Sequence, residues 1–139
     1  MQPIAYLFFN GNAREAITAY RAIFGAPEPQ IMSMGDGPSD MGIPEERRDW
    51  VMHCEMKIGD GQVYISDDWT GESPAMEGCS IMVSLPTAEE GKRIFDALAE
   101  GGEVRMPWEP TFWTTGFGTL TDRFGIRWMV GSDEEPSGD

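Results

Sequence analysis

Residues 3–25, PIAYLFFNGNAREAITAYRAIFG, decide the fold, because their pattern returns at 79–101 as CSIMVSLPTAEEGKRIFDALAEG. In the first copy the run 3–9 reads as a strand, and Asn12 followed by Glu15 reads as a capping box that opens a helix. Ala13, Ala16, Ile17, Tyr20, Ile23 and Phe24 recur at helical spacing and form one apolar stripe, which Gly25 ends ahead of Pro27. In the second copy the strand is 79–85 and the box runs from Thr87 to Glu90. Gly91, Ile94, Phe95 and Leu98 then share one helical face before Gly101 and Gly102. An offset of 75 residues superposes Ala5 on Ser80, Asn12 on Thr87, Glu15 on Glu90, Tyr20 on Phe95 and Ile23 on Leu98, the mark of an internal duplication.

Working outward, each helix is followed by three shorter extended runs: 29–34, 49–58 and 62–67 in the first half, and 103–106, about 113–121 and 126–131 in the second. Asp60-Gly61 and the stretch from Arg123 to Gly125 read as hairpin turns that need a residue at positive φ. Each half therefore reads βαβββ. The fold class expected is α+β: two tandem βαβββ modules in a curved, mostly antiparallel sheet with the helices on its outer face. A single domain of residues 1–131 would comprise modules of about 1–68 and 79–131. Segments 35–48 and 68–78 carry Gly, Pro and Ser and read as loops, the second linking the halves. An acidic tail, 132–139, holds Asp133, Glu134, Glu135 and Asp139 beside Pro136 and Gly138 and has nothing to bury.

A chain of 139 residues with 40% hydrophobic residues can bury one core without a disulfide or a structural metal. Cys54 and Cys79 sit in apolar alternating runs and are expected to be buried free thiols. A net charge of −14 repels a phosphate backbone, so neither nucleic acid nor an anionic membrane is an expected partner. No apolar run nears the ~20 residues that span a bilayer, and the start lacks a basic n-region, so a cytoplasmic location is expected. No GxGxxG joins a strand to a helix and no P-loop motif occurs, so neither a dinucleotide cradle nor the usual S-adenosylmethionine cradle is visible. With one His and no Gly-x-Ser-x-Gly turn, a hydrolase triad is disfavoured.

Strand alternation selects the candidate site. In 52–58, Met52, Cys54, Met56 and Ile58 form an apolar face, which leaves His53, Glu55 and Lys57 opposite. Across the hairpin, Val63 and Ile65 join the apolar face and Tyr64 and Ser66 lie beside His53 and Glu55. In the second half Ile126, Trp128 and Val130 point to a helix while Arg127 and Met129 point away. His53, Glu55, Tyr64, Ser66, Trp113, Arg127 and Met129 are the pocket candidates. His53 is either a proton carrier in such a pocket or a hydrogen-bonded strand residue at a solvent or dimer face. Trp108 and Trp113, flanked by Pro107, Pro110 and Phe112, suit a pocket or interface as well as they suit core packing. Met32, Met34, Met41, Met76, Met106 and Met129 fall outside the strongest core pattern and suit either an apolar pocket or gap-filling.

The stretches YLFFNGNAREAITAYRAIFG (6–25), MHCEMKIGDGQVYISD (52–67), EEGKRIFDALAEGGEV (89–104) and TFWTTGFGTLTDRFGIRWMV (111–130) resemble the vicinal oxygen chelate superfamily. Within it they resemble the PhnB-like branch, whose members are often labelled 3-demethylubiquinone methyltransferases. The resemblance covers residues 3–131 and implies a central divalent metal in catalytic members, held by one side chain from the first and last strand of each module. Carried over, those positions fall on Ala5, Tyr64, Ser80 and Met129, none of them His, Asp or Glu. The resemblance thus implies a protein that has lost its metal ligands, uses no cofactor and binds a small molecule in an aromatic and Met-lined pocket. The alternative is a metal-dependent isomerase, lyase or dioxygenase acting on a small oxygenated substrate, with a site rebuilt around His53 and Glu55. Relatives complete such sites by pairing modules, which implies a homodimer.

Overall fold

Alternating burial along Tyr6–Phe9, with Leu7 and Phe9 buried and Tyr6 and Phe8 exposed, gives the first strand one face for a helix and one left open. In the computed structural model, which describes residues 1–137, the chain divides into two compact units, Met1–Pro74 and a second beginning at Ala75. Gly138 and Asp139, counted above in the acidic tail, lie outside the described residues.

The first unit comprises β1 (Tyr6–Phe9), α1 (Ala13–Phe24), β2 (Ile31–Ser33), β3 (Val51–Ile58) and β4 (Gly61–Asp67), with sheet order β1-β4-β3-β2. The β1–β4 pair is parallel and the other two pairs are antiparallel. Leu7, Phe9, Cys54, Met56, Val63 and Ile65 bury one face of this sheet, and Ala13, Ala16, Ile17 and Tyr20 bury the matching stripe of α1. Each fully buried large side chain here contributes about 1.5–3 kcal/mol. Gly25, at φ 63°, closes α1 in the left-handed conformation that ends many helices. The tight β3–β4 turn places its positive φ, 58°, at Gly59, while Gly61, which the sequence pattern put in the turn, already begins β4. Between β2 and β3 the loop contains three single 3₁₀ turns, Met34–Asp36, Ser39–Met41 and Glu45–Arg47, the last two opened by Pro38 and Pro44.

The start of α1 differs from the expected capping box. Asn12 makes no capping bond with its side chain. Asp67, at the end of β4 and 2% exposed, accepts instead from Gly11 N at 2.8 Å and Ala13 N at 3.1 Å through Oδ1, and from Val51 N at 2.9 Å through Oδ2. A charge-assisted acceptor satisfying buried amides outcompetes the exposed Asn12 amide.

The second unit repeats the plan with β5 (Ile81–Leu85), α2 (Ala88–Ala99), β6 (Glu103–Glu109), β7 (Phe117–Thr121) and β8 (Arg127–Ser132), in the order β5-β8-β7-β6. Here the capping residue acts as expected: Thr87 Oγ1 accepts from Glu90 N at 3.2 Å, and Glu134 supplies a further acceptor to Ala88 N at 3.1 Å. Ile94, Phe95 and Leu98 of α2 are buried, as are Leu120, Trp128 and Val130 of the sheet. The edge strand β6 runs on through Pro107, which an edge position tolerates. Asp122 organises the β7–β8 turn, accepting from Phe124 N, Ile126 N and Trp128 Nε1 at 2.9–3.0 Å. Cys54 is buried, whereas Cys79 lies ahead of β5 and is exposed, which corrects the expectation of two buried thiols.

The repeat also carries a slip. The helices obey the offset of 75 residues, Ala13 matching Ala88, but the strands before them are offset by 76, so Phe9 matches Leu85. Three residues, 10–12, join β1 to α1, and two, 86–87, join β5 to α2. Because side chains alternate along a strand, a one-residue slip exchanges its faces.

Candidate functional site

The open face of the first sheet presents Tyr6 and Phe8 from β1, Tyr64 from β4, and His53 and Glu55 from β3. The parallel register sets Tyr6 beside Tyr64, and the hairpin register sets Tyr64 beside Glu55. The Tyr6 hydroxyl lies 2.7 Å from His53 Nδ1, and His53 Nε2 lies 3.8 Å from Glu55 Oε2. Tyr6 stacks on Phe8 with ring centroids 4.9 Å apart, and Tyr64 meets Tyr6 and His53 edge-on at 5.7 and 5.1 Å. The result is a contiguous aromatic surface crossed by the Tyr6–His53 hydrogen bond, with the Glu55 carboxylate within ion-pair distance of His53. Tyr6 is 39%, Phe8 44% and Met32 51% exposed, more than large apolar side chains retain when their own module covers them.

Electrostatics keep both phenols protonated. Burial, then the neighbouring Cys54 and Glu55, push the Tyr6 hydroxyl above its ordinary value. The Tyr64 hydroxyl is also pushed up, chiefly by its hydrogen bond to the Glu55 carboxylate. Both phenols therefore stay protonated near neutral pH, each with a hydroxyl that can donate or accept. Beside this surface lies an open groove of about 580 Å³, lined by Gln30, Ile31, Met32, Asp36, His53 and Glu55.

The other candidates divide by unit. Ser66 is buried, and its hydroxyl reaches the carbonyls of Met52 at 2.9 Å, Asp67 at 2.9 Å and Val51 at 3.3 Å, so its polarity serves the strand irregularity at Val51. In the second unit Met129 pairs with Met82 on the open face of that sheet. Arg127 donates through Nη1 to the Glu77 carbonyl. Trp113 stands in the 110–116 loop, edge-on to Phe112 and Phe117 at 4.8 and 5.7 Å. Trp108 packs instead against Phe95, with Gly91 and Gly116 leaving room for its indole, so it belongs to the helix side of its module.

Sequence reading missed Tyr6 and Phe8. Every residue of PIAYLFF after Pro3 is apolar or aromatic, so alternation is invisible there, and the positions carried over from the family resemblance fell on Ala5. The pairing of Tyr6 with Tyr64 and of Met82 with Met129 identifies the equivalent open-face positions. The first unit thus offers two phenols and the second two thioethers at these positions, and neither pair suits a hard or borderline divalent cation. Around His53 and Glu55 the fit is no better. The Nδ1 atom is engaged by Tyr6, and among the described residues no group of three or more His, Cys, Asp or Glu side chains could hold a metal ion.

Two βαβββ modules of this topology share their fold with a glyoxalase/bleomycin resistance protein from Albidiferax ferrireducens T118, at 13% identity and a TM-score of 0.60 over 95% of this chain and 98% of that one, a likeness of fold alone. The chain belongs to the PhnB-like family described as 3-demethylubiquinone-9 3-methyltransferase, whose profile matches residues 2–131. It is 33% identical over 136 residues to protein YjdN of Escherichia coli K12, covering 90% of each chain. The crystal structure of protein PA1353 from Pseudomonas aeruginosa superposes with a TM-score of 0.86 at 38% identity, over 97% of this chain and 99% of that one. A Bacillus cereus PhnB protein, titled a putative 3-demethylubiquinone-9 3-methyltransferase, shares the fold at 21% identity and a TM-score of 0.77, over 95% of this chain and 99% of that one.

Proposed function

We propose that this PhnB-like protein binds a small molecule without a metal, and that the Tyr6, Phe8, His53, Glu55 and Tyr64 face of its first module is the binding surface. The observation that carries this reading is the exposed aromatic surface crossed by hydrogen-bonding groups beside an open groove, the combination of apolar area and few oriented polar groups that ligand sites use. The open face of the second module, with Met82 and Met129, and the Trp113 loop offer a second apolar surface for a second copy of the chain. Exposed Tyr6, Phe8 and Met32, and Met82 and Met106 in the other unit, support a homodimer that covers them.

The family description does not transfer as an activity. Part of the amide set that each helix start would offer an anionic cofactor group is already committed, Gly11 and Ala13 N to Asp67 at α1 and Ala88 and Glu90 N to Glu134 and Thr87 at α2. The metal-dependent isomerase, lyase or dioxygenase reading would require a donor set that the residues around His53 and Glu55 do not supply.

Elemental analysis of purified protein, combined with a ligand screen read by NMR, tests the proposal. Ligands that shift resonances of Tyr6, His53 and Tyr64, with substoichiometric metal and weaker binding in His53→Ala and Glu55→Gln, are expected. One equivalent of a divalent metal, lost in Glu55→Gln, would overturn it. Sedimentation at low micromolar concentration is expected to report twice 15.4 kDa, and a strict monomer would remove the dimer.

A further inference from the structure

We infer that the ligand of this face is a small organic cation, a protonated amine or quaternary ammonium group held against the rings of Tyr6, Phe8 and Tyr64 with Glu55 as its counter-charge. The inference rests on the reading of this face as a binding surface and adds the charge of what it binds.

Three independent features point the same way. The first is the rings: Tyr6, Phe8 and Tyr64 form one continuous cluster, and the negative face of an aromatic quadrupole attracts a cation. Among the described residues the guanidinium–ring pairs lie elsewhere, Arg47 over Trp50 at 4.7 Å and Arg123 over Phe124 at 4.4 Å, so no cation of the protein covers Tyr6, Phe8 or Tyr64. The second is the groove, whose charged lining residues are Asp36 and Glu55, with no Lys or Arg among them. Asp36 is partly committed, accepting from Ser33 N at 2.9 Å, and Glu55, 3.8 Å from His53 Nε2 and 56% exposed at its side chain, is the carboxylate nearest the rings. Lys57, two residues along the same strand row, lines a different depression with Gln2 and Gln62. The third is the hydroxyls. The Tyr6 hydroxyl is engaged with His53 Nδ1 at 2.7 Å, and Tyr64 stands beside the Glu55 carboxylate in the hairpin register, so an anionic ligand would meet a like charge next to these hydroxyls.

Choline, its neutral isostere 3,3-dimethyl-1-butanol, and the anion 3,3-dimethylbutanoate share one branched head and differ in charge. Titrated into the 139-residue protein at about 0.15 M salt, with NMR shifts of Tyr6, His53 and Tyr64 as the readout, choline is expected to bind about five- to tenfold more tightly than the alcohol. The anion is expected to bind weakest. Glu55→Gln should reduce that preference while leaving the alcohol unaffected. The Tyr6→Leu, Phe8→Leu double variant, which keeps every charge, should abolish it, and this separates ring recognition from the general attraction of a chain of net charge −14. Equal or tighter binding of the alcohol or the anion at these residues overturns the charge assignment and leaves the binding face standing. A choline preference that survives loss of the rings also overturns the assignment. Failure of all three probes to shift these residues overturns the assignment together with the face.

Discussion

Asp67→Ala is expected to be among the most damaging polar substitutions in the first module, and the cost follows from three hydrogen bonds. One carboxylate, 2% exposed, receives Gly11 N, Ala13 N and Val51 N at 2.8–3.1 Å and so ties the start of α1 to the start of β3. Each buried donor left without an acceptor costs about 1–3 kcal/mol. Gly11 N is only part-buried and can turn to water, so the total expected is about 3–5 kcal/mol rather than the full sum. Asp67→Asn should cost about 1–3 kcal/mol, because one amide oxygen can still accept from Gly11 and Ala13 while the amide nitrogen is set against Val51 N–H. Asn12→Ala, by contrast, removes an exposed side chain without a capping bond and should change stability by less than about 0.5 kcal/mol. Urea denaturation followed by tryptophan fluorescence, with Trp50 beside Val51, gives the three values as midpoint shifts at constant slope. If Asn12→Ala proves as costly as Asp67→Ala, the cap has been assigned to the wrong residue.

Other expectations follow from the same packing. Gly91→Ala would normally stabilise a helix by up to about 1 kcal/mol. Here the new Cβ would lie 2.6 Å from the Trp108 ring, which Gly116 confines from another side, so calorimetry should show a lower melting temperature. Cys79 should react with a thiol reagent in the native protein, whereas Cys54, buried and with its thiol pushed up to about 11 first by burial and then by Glu55, should react only after unfolding. Two fast equivalents in native buffer would contradict this. Cys54→Asp should destabilise strongly by burying an unpaired carboxylate under α1, and His53→Ala should unfold at nearly the wild-type urea concentration. The reverse order would mean that the two faces of β3 are exchanged.

What the sequence determined by itself was the part of the fold that repeats with a period. Two amphipathic helices at a fixed spacing, each following a strand and preceding three more, define the βαβββ plan. Strict alternation in 52–58 separates Cys54 and Met56 from His53 and Glu55, because a polar–apolar contrast marks each face. Where that contrast is missing, only the tertiary structure decides. PIAYLFF is apolar on both sides, so the register of β1 on β4 was needed to turn Tyr6 and Phe8 outward and bring the Tyr6 hydroxyl onto His53 across 47 residues of sequence. The single residue by which the two strand–helix connections differ inverts a face without disturbing the helical pattern. The helix cap moved for a related reason: Asn12 has the local signature, but Asp67, 55 positions away in the chain, reaches the same amides as a buried charged acceptor. Local patterns report which residues can form an element, and long-range pairing energies decide which side chain reaches which group.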